Sequence, residues 1–270
     1  MAETGDSATA EIARRISASP KYRPLLSRSV MRVVLDCTAK YGRKQAEKSA
    51  RNILHQAWGA YYPYRPKFEK QLETLKAGLS EGRNSRDCLL PLMDAHSSTA
   101  ERAPSISAFY ERIFAVTGIP STILDLACGL NTLTLPWMDL PEKTRYEGRD
   151  IDEEQNSFLN SALALCGFPP ERALVRGGDI LCDEPENAEM VFMLKLLPLL
   201  EHQKKGSALE LLRRQPARHI VTSYPSGSLS GGKRKMGEFH AENFLKMVGQ
   251  ERWTISALTF DREVVFIVGK

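Results

Sequence analysis

The sequence predicts an α/β fold in which an all-helical segment precedes a mainly parallel sheet of seven strands. Up to about Phe114, apolar residues recur at intervals of three and four, which is the period of amphipathic helices. After Pro120, short apolar runs alternate with helical stretches, as in a parallel sheet that is covered on both faces. The last two apolar runs are joined by Asp261-Arg262, and this hairpin makes the final strand antiparallel to its neighbours at the end of the sheet.

The helical segment begins at Ala8 and is divided by turn-forming residues, so we expect five or six helices. The breaks fall at Ser19-Pro20, at Tyr41-Gly42, from Tyr62-Pro63 through Pro66, and at Gly82-Arg83-Asn84. Gly118-Ile119-Pro120 then interrupts the helical pattern. These features predict an N-terminal helical extension over residues 1–118 and a sheet domain over residues 119–270.

Within the sheet domain, apolar and β-branched runs predict seven strands, and the longer amphipathic stretches between them predict three helices. The predicted strands are Thr122–Cys128, Arg145–Ile151, Ala173–Gly178, Met190–Leu196, His219–Tyr224, Trp253–Phe260 and Glu263–Val268. The predicted helices are Glu153–Cys166, Glu201–Arg214 and Glu238–Val248.

Charge is unevenly distributed along the chain, although the formal net charge is only +4. The first 60 residues contain 11 Lys and Arg against five Asp and Glu, a net charge of +6, which leaves −2 for the rest of the chain. A basic module beside a neutral one is typical of an enzyme that docks on a polyanion such as RNA. The alternative interpretation is a solvated helical surface.

The composition is that of an ordinary soluble globular protein, with 42% hydrophobic and 26% charged residues. No run approaches the roughly 20 apolar residues of a membrane span, and Met1–Ala10 lacks the pattern of a secretory signal. The five cysteines include no C-x-x-C pair, which argues against a disulfide framework or a zinc site. We therefore expect a cytoplasmic protein without a metal site.

The strongest candidate for a binding site is the turn that follows the first strand. Asp125-Leu126-Ala127-Cys128-Gly129 places small residues at the carboxyl edge of the sheet, where a ligand can approach the backbone closely. The pattern lacks the glycines of G-x-G-x-x-G that cradle a pyrophosphate, which argues against NAD and FAD. A nucleoside without phosphates needs no such cradle. The alternative is a tight connection without a ligand.

Acidic residues end the next two strands. Asp150 comes about 20 residues after the turn, at the place where a carboxylate accepts the two ribose hydroxyls of a bound nucleoside. Asp179 ends the third strand, where its carboxylate can accept from the exocyclic amine of adenine. Either acid alone could instead be a helix cap or a loop residue. Because the acids fall at successive strand ends, we expect them to share one site.

The fourth strand ends in a lysine, Lys195, within an otherwise apolar run. A lysine in such a setting needs a partner or a function. The functional interpretation places Lys195 beside the reacting groups of the bound ligand and its substrate, which makes it the one catalytic candidate. The alternative is a lysine whose ammonium reaches solvent at the strand end.

Together these segments resemble the aminoglycoside-resistance 16S ribosomal RNA methyltransferases that act on guanine N7. A seven-stranded sheet that closes on a hairpin is typical of Rossmann-like class I methyltransferases, whereas NAD-binding folds usually end in parallel strands. The segments that carry the resemblance are Leu54–Tyr61, His96–Arg102, Leu124–Asn131, Lys195–Glu201 with Gly206-Ser207, Ser223-Tyr224-Pro225 with Ser228-Leu229, and Glu263–Phe266. They span nearly the whole chain.

The resemblance implies a site for S-adenosylmethionine in residues 119–270, to which residues 96–102 contribute. Arg102 would pair with the methionine carboxylate, Asp150 with the ribose and Asp179 with the adenine. The other implied cofactor residues are Tyr61, His96, Ser97, Ser98, Ala127, Gly129, Ile180, Leu194 and Gln203.

The resemblance also implies a monomeric enzyme that methylates N7 of guanine 1405, in helix 44 of 16S RNA within the 30S subunit, and so confers aminoglycoside resistance. Basic residues expected to grip phosphates are Arg14, Arg15, Lys21, Arg23, Lys233, Arg234 and Lys235. Trp137 and Tyr224 are candidates to hold the flipped base, with core packing as the alternative. Two other functions stay open: methylation of another RNA position or a small molecule, and a non-catalytic ribosome-binding factor.

Overall fold

The computed structural model describes residues 7–62, 64–226 and 233–270. Its first part is helical, as predicted. The helices are α1 (Ser7–Ala18), α2 (Ser27–Tyr41), α3 (Arg43–Ala57), α4 (Phe68–Ser80), α5 (Ser85–Met93), α6 (Ser97–Arg102) and α7 (Ile106–Thr117). The described part thus has seven α-helices before the sheet, against the predicted five or six, and the predicted breaks all fall between helices.

Helices α1 to α3 form a small bundle with its own hydrophobic core. Apolar residues on one face of each helix, among them Ile16 of α1, Val30 and Val34 of α2 and Ala50 of α3, are fully buried against one another. This pattern of three- and four-residue spacing is the amphipathic period that the sequence shows. Arg15 of α1 pairs with Glu47 of α3 at 2.7 Å on the outside of the bundle.

The sheet contains all seven predicted strands within two residues of their predicted ends. They are β1 (Thr122–Leu126), β2 (Arg145–Asp150), β3 (Ala173–Gly177), β4 (Met190–Leu194), β5 (His219–Pro225), β6 (Thr254–Thr259) and β7 (Glu263–Gly269). Their order in the sheet is β3-β2-β1-β4-β5-β7-β6. β7 is antiparallel to both of its neighbours, and the other pairs are parallel. The predicted antiparallel final strand is confirmed.

The helices of the sheet domain differ from the prediction at two places, because the helix predicted over Glu201–Arg214 is divided and the last helix begins at Lys233 and not at Glu238. They are α8 (Glu153–Leu165), α9 (Leu197–Gln203), α10 (Ser207–Arg214) and α11 (Lys233–Val248). A single helix over Glu201–Arg214 was wrong, because Gly206 adopts a φ of 88° and separates α9 from α10. A 3₁₀ turn over Asn131–Trp137, which the sequence did not predict, follows β1.

The two faces of the sheet are covered by different helices. One face packs against α4, α5, α7 and α8, with Phe109, Phe158 and Phe192 in a common core. The other face packs against α9, α10 and α11, with Phe244 and Phe266 at its centre. Helices α4, α5 and α7 therefore share a core with the sheet, and the packing does not change at residue 118. The separate core of the α1–α3 bundle includes residues up to Trp58.

The α1–α3 bundle is attached to the carboxyl ends of β2 and β3. Backbone bonds join Leu26 N to the Ile151 carbonyl oxygen and Glu153 N to the Pro24 carbonyl oxygen, both at 2.8 Å. Asp152, which caps α8, also accepts from Trp58 Nε1 at 2.8 Å. These contacts place α2 and α3 beside the edge of the sheet where the sequence predicts the binding site. Among the described helices, none is long and apolar enough to cross a membrane.

Candidate functional site

A deep cleft lies at the carboxyl ends of the central strands, between the sheet and the α1–α3 bundle. Its empty space is about 1100 Å³, solvent at its mouth included. Apolar side chains and a few convergent polar groups line it, which is the usual character of a site for an organic ligand. The lining includes nearly every predicted cofactor residue, namely Tyr61, His96, Ser98, Ala127, Gly129, Asp150, Asp179, Ile180, Leu194 and Gln203, together with Lys195.

The turn after β1 has an unusual backbone. Ala127 has a φ of 54° and Gly129 a φ of 50°, both in the left-handed region that side chains disfavour. A Cβ atom at Gly129 would lie 3.0 Å from Nε2 of His96, so the glycine also permits a close approach of the ring. The Gly129 amide donates to Asp150 Oδ2 at 2.9 Å, which fastens the turn to the end of β2. Strained residues of this kind are concentrated at functional sites.

Asp150 lies where the sequence predicts a ribose acceptor. Its two oxygens accept from the amides of Gly129 and Asp152, at 2.9 and 3.2 Å. Each carboxylate oxygen has a second lone pair, so Asp150 can still accept from a ligand. Burial raises the pKa of Asp150 to about 6, although the bond from Gly129 acts in the opposite direction.

Asp179 also lines the cleft, but it already has a partner from the extension. Its Oδ2 accepts from Arg32 Nε at 2.9 Å, and its Oδ1 accepts from the amide of Leu181 at 3.1 Å. Arg32 belongs to α2 and lines the cleft as well. The adenine acceptor that the sequence predicts is therefore also an ion-pair partner of α2.

His96 and Tyr61 form an aromatic wall of the cleft. Their rings are stacked with centroids 5.3 Å apart and planes 7° from parallel. Burial, with Lys195 and Arg102 nearby, lowers the pKa of His96 to about 3, so its imidazole is neutral at physiological pH. Nδ1 of His96 is buried and has no hydrogen-bond partner among the described residues. A polar ligand in the cleft can provide the missing partner.

Lys195 follows β4 and is held in a fixed conformation. Its φ is 56°, its amide donates to Ser223 Oγ at 3.1 Å, and its carbonyl oxygen accepts from Tyr61 at 3.1 Å. The side chain is only 8% exposed, and its ammonium pairs with the carboxylate of Glu101. Lys195 therefore does not reach into solvent as an unpaired cation, which the alternative interpretation required.

Arg102 is a correction to the predicted site. The resemblance implies that Arg102 pairs with the methionine carboxylate, but Arg102 is buried and is not among the described residues that line the cleft. Its Nε and Nη2 donate to the two carboxylate oxygens of Glu263 at 2.7 and 3.1 Å, and Nη1 donates to Asn131 at 2.7 Å. Burial acts to raise the pKa of Glu263, but Arg102 lowers it below its ordinary value. The chain itself supplies the carboxylate that Arg102 binds.

Three further expectations are corrected by burial and position. Ser97, the first residue of α6, is not among the described residues that line the cleft. Trp137 is packed in the core beneath α4 to α8, because the 3₁₀ turn after β1 directs it there. Tyr224 lies in the core on the other face, with the rings of Phe244 and Phe266 each 5.8 Å away. Trp137 and Tyr224 are therefore both core residues, which was the alternative interpretation for each.

The predicted phosphate-binding residues divide into two groups. Arg14, Arg15, Lys21 and Arg23 are exposed on the α1–α3 bundle and the loop after α1, with Arg14 paired to Glu11 and Lys21 3.2 Å from His55 Nδ1. The side chains of Lys233, Arg234 and Lys235 lie outside the described residues.

Sequence reasoning missed the contribution of α2, α3 and the turn after α3 to the cleft. The residues of α2, α3 and the turn after α3 that line it are Ser29, Arg32, Val33, Ile53, Leu54, Ala57 and Trp58. Their helical periodicity is visible in the sequence, but it does not reveal which helix face meets the sheet. Asp125 and Asn131 also line the cleft and are joined at 2.7 Å, and their position in the predicted turn was the available signal.

Comparisons with known proteins agree with this geometry. A family model described as "Ribosomal RNA methyltransferase (FmrO)" matches residues 18–267. The chain is 29% identical to the 16S rRNA (guanine(1405)-N(7))-methyltransferase of Proteus mirabilis over 99% of both chains. It is 31% identical to the enzyme of that name from Frankia casuarinae, over 83% of this chain and 80% of the relative.

Solved structures show the same likeness. The 16S rRNA methyltransferase RmtF, crystallised with S-adenosyl-L-homocysteine, is 30% identical, with a TM-score of 0.82 over 98% of this chain and 99% of that one. The 16S rRNA methylase RmtB is 26% identical, with a TM-score of 0.78 over 97% of this chain and 98% of that one.

Proposed function

The chain belongs to the FmrO family of ribosomal RNA methyltransferases, and from that premise we propose that it transfers a methyl group from S-adenosylmethionine to N7 of guanine 1405 in 16S RNA. The relatives named above carry this activity in their names, and RmtF was solved with the demethylated cofactor. The seven-stranded sheet with its antiparallel β7 is the Rossmann-like fold of class I methyltransferases. The observation that supports the proposal most directly is the cleft at the carboxyl edge of this sheet, which is lined by most of the predicted cofactor residues.

The residues of the cleft fit S-adenosylmethionine. Asp150 would accept from the ribose hydroxyls and Asp179 from the adenine amine, while Ile180 and Leu194 provide apolar contact. The buried Nδ1 of His96, which has no partner among the described residues, and the close packing of Gly129 against the His96 ring mark the wall against which the cofactor would lie. Because Arg102 is bound to Glu263, we do not assign it to the methionine carboxylate.

The residues of this chain act mainly by positioning. When bound, the cofactor supplies an electrophilic methyl group on a sulfonium. Guanine N7 has a free lone pair, so the protein does not have to remove a proton, and the neutral His96 is consistent with that chemistry. Lys195 lines the cleft, and in the proposed complex its ammonium would donate to guanine O6, the acceptor next to N7. Holding the reacting atoms in line accounts for most of the rate increase in such a reaction.

The basic extension supports RNA as the substrate. Arg14, Arg15, Lys21 and Arg23 are exposed on the same bundle that forms one wall of the cleft, so bound RNA phosphates would lie near the cofactor. We propose that the substrate is the assembled 30S subunit with its helix 44, that Lys233, Arg234 and Lys235 also contact phosphates, and that the enzyme acts as a cytoplasmic monomer. Methylation at this position would confer aminoglycoside resistance.

Methylation of isolated 30S subunits with labelled S-adenosylmethionine tests the function, with protein-free 16S RNA as a second substrate. We expect labelling of the subunit and chemical strand cleavage at guanine 1405, where an N7-methylated base is labile. Asp150→Asn is the matched inactive variant. Label at another nucleotide, or none in either RNA despite tight cofactor binding, would contradict the proposal in favour of another target or a non-catalytic factor.

A further inference from the structure

We propose that Glu101 and Lys195 together read the Watson–Crick edge of the target guanine. Lys195 would donate to O6, and Glu101 would accept from N1–H and the 2-amino group. This inference rests on the proposed function and adds the residue that selects guanine at the site.

The position of Glu101 supports this role. It lies three residues after Ser98 on α6, so both are on the same face of the helix, and Ser98 lines the cleft. The next residue, Arg102, is directed instead into the core towards Glu263. The Glu101 side chain is 41% exposed, whereas that of its partner Lys195 is 8% exposed. Glu101 is not among the described residues that line the cleft, but its carboxylate contacts the ammonium of Lys195, which does line it, so a base at the mouth of the cleft would meet both groups.

Lys195 is fixed well enough to orient a base. Its left-handed backbone is held from both sides, by the bond from its amide to Ser223 and by the bond from Tyr61 to its carbonyl oxygen. Strained backbone persists only where the surroundings hold it in place. The ammonium thus has a defined position at the carboxyl end of β4, in contact with the Glu101 carboxylate.

The chemistry of the pair matches guanine and not adenine. Guanine presents an acceptor, O6, beside two donors, N1–H and the 2-amino group; adenine presents an amino donor beside the N1 acceptor. An ammonium next to a carboxylate is complementary to guanine and would face adenine with two unfavourable contacts. The ammonium has three donors and the carboxylate about four lone-pair positions, so the pair can remain joined while both groups contact the base.

The pair also addresses the charge of the product. N7-methylguanine is a cation, and an unpaired Lys195 beside it would oppose its formation. The Glu101 carboxylate makes the pair neutral overall. Glu101 therefore both contacts the base and removes the electrostatic disadvantage of a lysine at this position.

Reconstituted 30S subunits that carry guanine or inosine at position 1405 test the inference. Inosine keeps O6, N1–H and N7 and lacks only the 2-amino group. The wild-type enzyme is expected to lose about 10-fold in kcat/KM on the inosine subunit. Glu101→Ala, which leaves no side-chain acceptor, is expected to lose about 10- to 100-fold on guanine, to keep its affinity for S-adenosylhomocysteine within twofold, and to treat the two bases alike. Glu111→Ala, at an exposed glutamate of α7, is the control and should behave as wild type.

The outcomes are distinguishable. Equal wild-type activity on guanine and inosine would overturn the role of the amino contact without depending on the folding of any variant. A Glu101→Ala enzyme that still discriminates against inosine would overturn the assignment to Glu101. If the wild-type enzyme leaves guanine 1405 of unmodified subunits untouched, the proposed function itself fails, and this inference fails with it.

Discussion

Asp150 shows how burial and hydrogen bonding compete at a single carboxylate. Its oxygens accept from two backbone amides, which favours the charged form, but burial outweighs them and raises its pKa to about 6. Burial raises the pKa of Asp125, which also lines the cleft, to about 6 as well. In the free protein, such a carboxyl binds a proton more tightly than in the unfolded chain. Its contribution to stability is therefore full at pH below about 4 and is lost as the pH rises through 6.

Cofactor affinity should therefore depend on pH in the mildly acid range. The ribose hydroxyls need an ionised Asp150, so lowering the pH below about 6 should weaken binding, by up to about tenfold for each further pH unit. Calorimetric titration of S-adenosylhomocysteine between pH 5 and pH 8 measures this. Asp150→Asn should bind weakly at pH 8 and show a shallower profile, to which Asp125 still contributes. An affinity that is constant across the range would contradict the role of Asp150.

Gly129 is expected to tolerate no side chain. Gly129→Ala places a Cβ atom 3.0 Å from the His96 ring and keeps a φ of 50°, a backbone conformation that costs an alanine about 1–2 kcal/mol. Gly82→Ala is a matched control, because Gly82 has a φ of 81° but nothing within 4 Å of the added atom. Both variants should lower the free energy of unfolding by about 1 kcal/mol or more, and only Gly129→Ala should weaken binding of S-adenosylhomocysteine. Equal binding by the two variants would show that the contact with His96 is unimportant.

Between elements, the most consequential contact joins α6 to β7. Arg102 and Glu263 form a buried ion pair, and Arg102 extends it through Asn131 to Asp125 at the end of β1. The Arg102 guanidinium also lies 4.5 Å from the centroid of the Phe109 ring. A short helix, the closing strand and the turn after β1 are therefore held together by one polar network beneath the cleft.

Replacing one partner of the Arg102–Glu263 pair should lower the free energy of unfolding more than replacing both partners. Glu263→Met or Arg102→Met alone leaves one buried charge without its counter-charge, and each should lower the free energy of unfolding by about 3–5 kcal/mol. The double variant Arg102→Met/Glu263→Met should recover most of that loss, since neither member of the pair is then left without its counter-charge. Urea unfolding of the wild type, both single variants and the double variant gives the coupling free energy between the two residues. Additive losses would mean that the two residues do not stabilise one another.

At the scale of the whole molecule, the α1–α3 bundle carries a basic surface and also forms one wall of the cleft. Arg32 and Trp58 of the extension line the cleft, while Arg14, Lys21 and Arg23 are exposed on the same bundle. Attachment through Leu26, Ile151 and Asp152 makes the extension part of the site. An RNA bound to this surface, as proposed, would contact the same bundle that forms a wall of the cleft.

Charge reversal on this surface should weaken binding to 30S subunits without affecting the cofactor. Arg14→Glu/Lys21→Glu/Arg23→Glu should lower affinity and reduce the slope of log affinity against log salt by about 2 to 3. Binding should be measured over a salt series, with S-adenosylhomocysteine titrated separately and expected to bind as to wild type. Lys143→Glu/Arg145→Glu/Arg252→Glu changes the net charge equally at the amino edge of the sheet, away from the cleft. If both variants lose the same affinity, net charge alone explains the effect.

Much of this architecture was predictable because it depends on local sequence patterns. Apolar runs located all seven strands, and the Asp261-Arg262 turn indicated the antiparallel closing pair. Since parallel strands end at one edge, the positions of Asp150 and Asp179 at successive strand ends were enough to assign both acids to a common site. The turn at Ala127–Gly129 was identified from its small residues, although its left-handed backbone was not.

The sequence by itself determined the fold class, the family and the edge of the sheet at which the cleft lies. Tertiary structure alone decided which polar groups are neutralised inside the protein. Arg102 and Glu263 are 161 residues apart and Lys195 and Glu101 are 94 apart, and neither pairing follows from a local pattern. A charged side chain near a site is available to a ligand only if the fold brings no internal partner to it. That depends on how α6, β4 and β7 pack, which periodicity and spacing do not encode.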